Sequence, residues 1–207
     1  MLLSIYFFFF SMKLFYSLKL VFNRSISIMH TFFLGYCRNI KIGKGTVVYL
    51  RSTIITKKGD VVIGNNCRIG TSKIGYHTGM PFYTSILNDG LKSVVSIGDN
   101  CRINGAYIHA KKQVLIGNDC VFASGIHILD SNGHVTSSNN RTVGTDVPQS
   151  ISIGNNVWIC TNSIILKGST IGDNCVIAAN SVVKGFFPPN SLIEGNPAKI
   201  VKTLNIE

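Results

Sequence analysis

The sequence has little negative charge and almost no glutamate. Its 207 residues include nine acidic side chains, and only Glu194 and Glu207 are glutamate. Because glutamate favours helix interiors, its scarcity argues against a helical bundle. The 20 glycines and 19 asparagines favour turns instead, which predicts a chain of mostly strand and turn. An apolar content of 45% excludes an intrinsically disordered chain.

No apolar run near the N-terminus is long enough by itself to span a bilayer. The unbroken run Ile5–Phe10 is short, and Lys13 and Lys19 interrupt the apolar stretch that follows it. Residues 1–36 also lack the cationic start and cleavage site of a secretory signal. They predict a helical appendage that lies on a membrane surface, packs on its own oligomer, or spans once if its lysines snorkel. Met12 is an alternative start, which would weaken the membrane interpretation.

Positive charge is concentrated in the first 60 residues. Lysine and arginine number 20 in the whole chain, for a formal net charge of +11, and Asp60 is the first acidic residue. A surface of this kind attracts anions, including phosphates, acidic glycans and lipid headgroups. No nucleic-acid-binding module is recognisable, so nucleic acid is not expected as a partner.

An aliphatic side chain recurs at every sixth position of the C-terminal half. The series is Ile153, Ile159, Ile165, Ile171, Ile177 and Val183, and the same phase returns at Ile63/Ile69, Ile97/Ile103 and Ile116/Phe122/Ile128, more weakly at Ile42/Val48/Ile54. A helix would show spacings of three and four. A six-residue unit fits one short strand and one corner, so three units close a triangular coil, and coils stack about 4.8 Å apart. The period predicts an all-β parallel β-helix over 37–190 and a tail over 191–207.

Two other patterns follow the same six-residue phase. Gly-Asn and Gly-Asp pairs, such as Gly117-Asn118, predict corners where the backbone turns sharply or adopts a positive φ. Four of the six cysteines fall in a slot that small residues occupy in other hexads, so they are expected to be packing thiols in a reducing cytoplasm; these four are Cys67, Cys101, Cys120 and Cys175.

The period is interrupted twice. Residues 130–150 are polar, rich in serine, asparagine and glycine, and contain His134. A coil tolerates such an insertion only as a projecting loop, and long loops on rigid scaffolds commonly carry function. By itself a lone loop histidine is as well explained by simple exposure to solvent. The second interruption, residues 75–93, contains His77 and is interpreted as a substrate-facing flap or a disordered excursion.

The C-terminal half resembles a known family. A loop histidine is followed by IGNNVWI, then IGDNCVI, then PPNSLIEGNPAK, and together these pieces span roughly residues 97–202. This combination is similar to the hexapeptide-repeat O-acetyltransferases of sugars and surface polysaccharides. The resemblance implies a left-handed coil, acetyl transfer from acetyl-CoA directly to a carbohydrate hydroxyl, and a homotrimer whose sites lie between subunits.

The resemblance also assigns site residues. It implies that His134 is the general base and that Asn104 contacts the acceptor, although an ordinary turn asparagine is the alternative. Asp130 would orient His134 or bind substrate, or form a plain Asx turn. For the cofactor, it places Thr161 and Ala179 along the pantetheine arm and Lys199 and Lys202 near the CoA phosphates, with Trp158 beside the channel or simply packed.

Three departures from the family pattern bear on these assignments. Cys160 replaces a glycine that would allow close approach of the cofactor, and Lys184 stands where relatives have a threonine in a Thr-Lys pair. By position, the resemblance assigns both residues to cofactor binding. The loop reads HVTSSNNR instead of the HPxDPEER of the family members that act on smaller sugars, which argues against a maltose-like acceptor and leaves Arg141 as a loose counterpart.

We therefore expect an acetyl-CoA-dependent O-acetyltransferase without a metal, acting on a capsular or lipopolysaccharide glycan or its lipid-linked precursor. Its expected location is the cytoplasm, at the inner face of the membrane if residues 1–36 bind lipid. One alternative is a non-catalytic β-helix that binds partners. A remote alternative is a γ-class carbonic anhydrase, for which His109, His127 and His134 would be zinc ligands.

Overall fold

The structure is a computed structural model that describes residues 18–19, 21–71, 73 and 76–206. The apolar run Ile5–Phe10, Met12 and Lys13 lie outside the described residues.

One helix, α1, covers the described residues 18–19 and 21–34. Its exposed side chains include Phe22, Met29 and Phe33. Within the described ranges, no helix is both long enough and apolar enough to cross a membrane.

The described residues contain 21 short strands. In chain order they are β1 (Ile40–Ile42), β2 (Val47–Val48), β3 (Thr53–Thr56), β4 (Asp60–Ile63), β5 (Arg68–Ile69), β6 (Ser85–Asn88), β7 (Val94–Ile97), β8 (Arg102–Ile103), β9 (Ala106–Ala110), β10 (Gln113–Ile116), β11 (Val121–Phe122), β12 (Ile126–Leu129), β13 (Ile151–Ile153), β14 (Trp158–Ile159), β15 (Ile164–Leu166), β16 (Thr170–Ile171), β17 (Val176–Ile177), β18 (Val182–Val183), β19 (Phe186–Phe187), β20 (Ser191–Gly195) and β21 (Ala198–Thr203).

The strands form three sheets that are the sides of a prism. Sheet A has the order β1-β4-β7-β10-β13-β16-β19, sheet B β2-β5-β8-β11-β14-β17-β20-β21, and sheet C β3-β6-β9-β12-β15-β18. Each successive strand up to β20 moves to the next sheet, so the chain makes six complete coils and begins a seventh. Neighbouring coils pair in parallel, which confirms the predicted parallel coil.

The aliphatic side chains that recur at every sixth position form the core. Five members of the C-terminal series, Ile159 to Val183, are at most 1% exposed, and Ile153 is 2% exposed. Their registers align across strands, with Ile153 beside Ile171 and Ile159 beside Ile177. Because each aliphatic side chain stacks on its equivalent in the next coil, the core runs the length of the prism although no single coil has one.

The corners between sheets A and B explain the Gly-Asn and Gly-Asp pairs. Positive φ occurs one residue after each pair, as at Asp119 with φ 58°, and not at the glycine itself. At Gly117 the requirement is close approach, since a Cβ there would lie 2.7 Å from the Gly154 carbonyl carbon. The Asn118 side-chain oxygen accepts the Asp99 N–H at 2.8 Å, which links this corner to the preceding coil.

The cysteines predicted to pack inward do so. Cys67, Cys101, Cys120 and Cys175 are fully buried. Each thiol lies within hydrogen-bonding distance of a corner carbonyl in the following coil, as for Cys101 Sγ and Gly117 O at 3.2 Å. Hydrogen bonding with Cys120, together with burial, raises the pKa of the Cys101 thiol to about 12.

Helix α1 covers the open end of sheet B. The Val48 N–H has no preceding coil to bond, and it donates to Thr31 Oγ1 at 2.8 Å. The Leu50 N–H likewise donates to Ser27 Oγ at 3.1 Å. Hydroxyl groups of α1 thus satisfy backbone groups that an earlier coil would otherwise satisfy.

Two expected boundaries differ from the structure. Strand β6 lies within the predicted interruption 75–93, where Ile86 is fully buried, so the excursion lies between β5 and β6, and its described residues are 70–71, 73 and 76–84; it is called the excursion 70–84 below. Strand β20 pairs in parallel with β17, so the coil continues beyond residue 190, and β21 then folds back antiparallel to β20.

Candidate active site

The corners between sheets B and C form one edge of the prism, here called the B–C edge. It includes Asn104 after β8, Cys160 and Thr161 after β14, and Ala179 after β17. Backbone hydrogen bonds stack these corners, since the Asn104 N–H donates to Phe122 O at 3.1 Å and the Cys160 N–H to Ile177 O at 2.9 Å. Residues that the resemblance assigns to acceptor and pantetheine therefore lie along one straight edge.

A cleft of about 330 Å³ opens beside this edge. Its lining includes Trp158, Cys160 and Thr161, together with Tyr76 and His77 from the excursion 70–84. Trp158 is 51% exposed, forms no part of the core of this chain, and lines the cleft. Burial raises the pKa of the Cys160 thiol, so this side chain is a neutral wall of the cleft.

The excursion 70–84 is held against the B–C edge. Ser124 Oγ donates to Gly79 O at 2.6 Å, and Thr78 Oγ1 lies 3.4 Å from the same hydroxyl. Met80 is 9% exposed and packs close to Gly105. These contacts make the excursion a flap across the edge.

His77 is the site residue that sequence reasoning did not select. It lines the cleft of Trp158 and Thr161 and also a second cleft that contains Asn104. The sequence signal available was only a histidine inside an interruption of the period. What decides its position is the contact of the flap with Ser124, which has no sequence signature.

His134 lies on a different edge of the prism. The predicted loop, residues 130–150, joins β12 of sheet C to β13 of sheet A, and His134 is exposed. Lys184 follows β18 at the same edge, here called the C–A edge. One copy of the chain therefore does not bring His134 or Lys184 to Asn104, Thr161 and Ala179.

The root of the loop is anchored by Asp146. Its carboxylate accepts the Ser131 hydroxyl at 2.5 Å and the Asn132 and Gly133 N–H groups at 2.8 and 3.1 Å. Lys167 Nζ binds the same carboxylate at 2.5 Å. Burial acts to raise the pKa of Asp146, but these hydrogen bonds and the lysine charge outweigh it and hold the pKa well below its usual range. The hydrogen bonds to Asp146 thus extend to Gly133, the residue immediately before His134.

Asp130 stabilises a corner of the coil through hydrogen bonds to its backbone. It is fully buried, and its two carboxylate oxygens accept the N–H groups of Lys111, Lys112 and Gln113 at 2.7–2.8 Å. These bonds hold the corner of the preceding coil. The arrangement does not support the predicted contact of Asp130 with substrate or with His134.

Lys199 and Lys202 are exposed on β21, the last strand of sheet B. Along the B–C edge, Thr161 and then Ala179 lie progressively closer to the C-terminal end of the prism, and Lys199 and Lys202 lie at that end. Their position is compatible with a ligand that extends along this edge and ends in anionic groups.

The histidines considered for zinc are separated by other contacts. His109 Nε2 lies 2.9 Å from Asp89, and although partial burial acts to raise the pKa of Asp89, this hydrogen bond and nearby cations lower it. His127 packs between Phe82 and Tyr107. In the part of the chain that is described, no three His, Cys, Asp or Glu side chains are grouped to hold a metal ion.

Comparison with known proteins identifies the repeat. Residues 150–185 match the family model described as Bacterial transferase hexapeptide (six repeats). The chain carries the hexapeptide repeat of bacterial transferases. The match confirms the hexapeptide repeat that the IGNNVWI and IGDNCVI pieces predict, and similar proteins bear acetyltransferase names.

Two curated relatives come from Escherichia coli (strain K12). "Putative lipopolysaccharide biosynthesis O-acetyl transferase WbbJ" is 34% identical over 126 residues, which are 56% of this chain and 64% of that protein. Galactoside O-acetyltransferase is 38% identical over 92 residues, or 44% of this chain and 45% of that protein. The hexapeptide-repeat chain thus covers less than two thirds of the length of either relative.

A solved structure supports the fold. The hexapeptide-repeat containing acetyltransferase VCA0836 from Vibrio cholerae superposes with a TM-score of 0.55 over 92% of this chain and 88% of that chain, at 22% sequence identity. At this identity the likeness concerns the architecture of the hexapeptide-repeat chain alone.

Proposed function

We propose that this hexapeptide-repeat protein is an O-acetyltransferase that moves acetyl from acetyl-CoA to a hydroxyl of a surface glycan, capsular or lipopolysaccharide, or of its precursor. The observation that carries the proposal is the 126-residue match to WbbJ, a protein named for lipopolysaccharide O-acetyl transfer. The coil, its projecting histidine loop and the cleft along the B–C edge supply the parts that this reaction needs.

His134 is the proposed general base. Its imidazole takes the proton of the acceptor hydroxyl as that oxygen attacks the thioester carbon, and collapse of the tetrahedral intermediate breaks the C–S bond and releases CoA. Imidazole suits this step because it exchanges protons near neutral pH. The intermediate's oxyanion needs a preorganised donor such as a backbone N–H.

The B–C edge is the proposed place for acetyl-CoA. The cleft beside Trp158 offers an apolar wall, and Thr161 and Ala179 stand on the corners that the pantetheine arm would follow. Lys199 and Lys202 would meet the phosphates, since ammonium groups bind phosphate oxygens strongly. Lys184, on the C–A edge, would reach the cofactor only from a neighbouring copy.

The site is proposed to form between copies of a homotrimer. Sheet C lies between the B–C edge and the C–A edge. Its outward side chains form one row across the strands, in the order Ile55, Leu87, His109, Leu129 and Leu166, so four of the five are aliphatic. If sheet C of each copy faces a threefold axis, the C–A edge of one copy meets the B–C edge of the next. His134 projects between the fourth and fifth coils, and Asn104 and Thr161 belong to the third and fifth, so the two edges meet at the same height.

Other parts of the proposal concern the coil sense and location. The left-handed sense of the coil follows from the family resemblance. We also propose a cytoplasmic protein at the inner face of the membrane, supported by the exposed apolar side chains of α1 and the basic N-terminal region.

The direct test is transfer of radiolabelled acetyl from acetyl-CoA to the glycan or its precursor. We expect His134→Ala to lower kcat by about 100-fold or more, the usual contribution of a general base. Thr136→Ala, an exposed position in the same loop, is the matched control and should retain activity. Full activity in His134→Ala would contradict the base assignment.

A second candidate is a non-catalytic β-helix that binds partners, which the side chain of Cys160 at the cleft favours. Calorimetric titration with CoA separates the two functions. Binding that Thr161→Trp abolishes supports the transferase, whereas absence of CoA binding supports the scaffold.

A further inference from the structure

A basic pocket lies between α1 and the first two coils. It is called the basic pocket below, and its lining includes Lys19, Asn23, Tyr49, Arg51, Thr71, Lys73 and Tyr83. Arg51 and Lys73 both approach one ring, because the Arg51 guanidinium carbon is 5.4 Å and Lys73 Nζ 4.5 Å from the Tyr83 centroid.

Both cations are positioned by hydrogen bonds and keep donors to spare. Arg51 donates to the Tyr83 hydroxyl at 2.7 Å, and Lys73 Nζ donates to Pro81 O at 3.0 Å. A guanidinium has five N–H donors and an ammonium three, so one hydrogen bond each leaves both side chains with donors that a ligand could use.

No carboxylate neutralises these charges in the part of the chain that is described. The ion pairs found there are His109–Asp89 and Lys167–Asp146, and neither involves the basic pocket. The two positive charges held against one tyrosine repel each other. A bound anion would attract both of them and so offset that repulsion. Arginine and lysine with additional hydroxyl and amide donors are the usual recognition set for phosphate.

The basic pocket is continuous with the candidate active site. Tyr49 and Thr71 line both the pocket and the cleft that contains Asn104. In that cleft Arg68 and Arg102 stand side by side on neighbouring strands, which extends the positive surface toward Asn104. Arg51 belongs to the first coil and Asn104 to the third, a separation of two coils or about 10 Å along the edge.

We propose that the basic pocket binds a phosphate or diphosphate group of the acceptor, so that the acceptor is a phosphate-linked sugar rather than the finished polymer. This inference rests on the proposed function. A sugar at Asn104 places an anomeric diphosphate toward Arg51 and Lys73, because one or two sugar units bridge the distance. The phosphate belongs either to a nucleoside diphosphate or to a membrane lipid carrier.

The test is calorimetric titration of the full chain with inorganic pyrophosphate in the presence of saturating CoA, which fills the proposed cofactor phosphate site. Arg51→Gln/Lys73→Gln should weaken pyrophosphate binding by about tenfold or more, since charged hydrogen bonds to phosphate are strong. Lys41→Gln/Lys44→Gln removes the same charge from β1 and the following corner, and should change Kd by no more than about twofold.

Pyrophosphate binding that is absent in the wild type, or equal in both double variants, would overturn the proposal. Thermal unfolding of each variant checks that it folds, and Tyr83→Phe, which releases Arg51 while keeping the ring, should weaken binding independently.

Two further titrations distinguish the source of the phosphate. One uses a uridine-diphosphate sugar, and the other uses phosphatidylcholine vesicles with a polyprenyl-diphosphate sugar. Binding in either titration that requires Arg51 and Lys73 supports the pocket and names the source. Independence from both residues in each titration contradicts the proposal. Failure of acetyl transfer to every acceptor, with pyrophosphate binding intact, would refute the proposed function and leave the pocket standing.

Discussion

At the scale of single residues, two aspartates of the histidine loop hold backbone N–H groups, the buried Asp130 and the partly exposed Asp146. Asp130 binds three N–H groups of the preceding corner, and Asp146 binds the turn immediately before His134. Neither role was apparent from residue type alone, since an aspartate near a loop histidine also suggests an orienting carboxylate. The distinction depends on which N–H groups the folded coil brings to each carboxylate.

Asp146→Asn is expected to destabilise the protein at neutral pH. The folded-state pKa of Asp146 is lowered, so its ionised form stabilises the fold above the ordinary carboxyl pKa of about 3.9, and this contribution is lost as pH falls toward the folded-state pKa. The free energy of unfolding should drop by about 1–3 kcal/mol at neutral pH. Urea unfolding should show the difference from wild type narrowing below the ordinary carboxyl pKa. Asp60→Asn, at an exposed carboxylate, is the control, and an undiminished difference in acid would contradict the account.

The variant His77→Ala tests whether His77 helps to bind the substrates or acts as the general base. His77 lines both clefts of the B–C edge, so its removal should raise KM by about threefold to tenfold, the worth of one hydrogen bond, while kcat changes little. Steady-state kinetics beside His134→Ala makes the comparison. A loss confined to kcat, as large as that of His134→Ala, would make His77 the base instead.

At the scale of elements, the six-residue period was sufficient to predict the coil, because inward burial of one aliphatic side chain per strand leaves a direct trace in the sequence. The strand β6 was missed, since Ile86 stands outside the six-residue phase of Ile63 and Ile69 after the excursion. A flap was one of two interpretations of the second interruption, but its bounds and its packing on the B–C edge were not predicted, and strand β21 was missed. Their positions depend on single contacts, such as Ser124 with Gly79, and on an antiparallel return that no repeat announces.

The stacked A–B corners predict an effect of a single methyl group. Gly117→Ala places a Cβ 2.7 Å from both the carbon and the oxygen of the Gly154 carbonyl. These two atoms belong to backbone that has little freedom to move. The free energy of unfolding should fall by about 1–3 kcal/mol, as for other overpacked sites. Chemical denaturation measures this, with Ser152→Ala on exposed β13 surface as control. Equal stability of Gly117→Ala and wild type would show that the corners are looser than described.

At the scale of the whole molecule, the proposed site residues lie on two edges of one prism, and sheet C separates those edges. A monomeric site would require the loop 130–150 to cross that sheet. A threefold arrangement of three copies needs no such crossing, because it sets the C–A edge of one copy against the B–C edge of the next. The central claim is therefore that His134 acts on a cleft belonging to another copy of the chain.

The most direct measurement is complementation between two inactive variants. His134→Ala lacks the base, and Thr161→Trp fills the cleft; each alone should be inactive. When equal amounts co-assemble at random, one quarter of the sites pair an intact His134 with an intact cleft, so acetyl transfer should recover to about a quarter of wild type. Activity of the mixed trimers no higher than that of either variant alone would contradict the shared site.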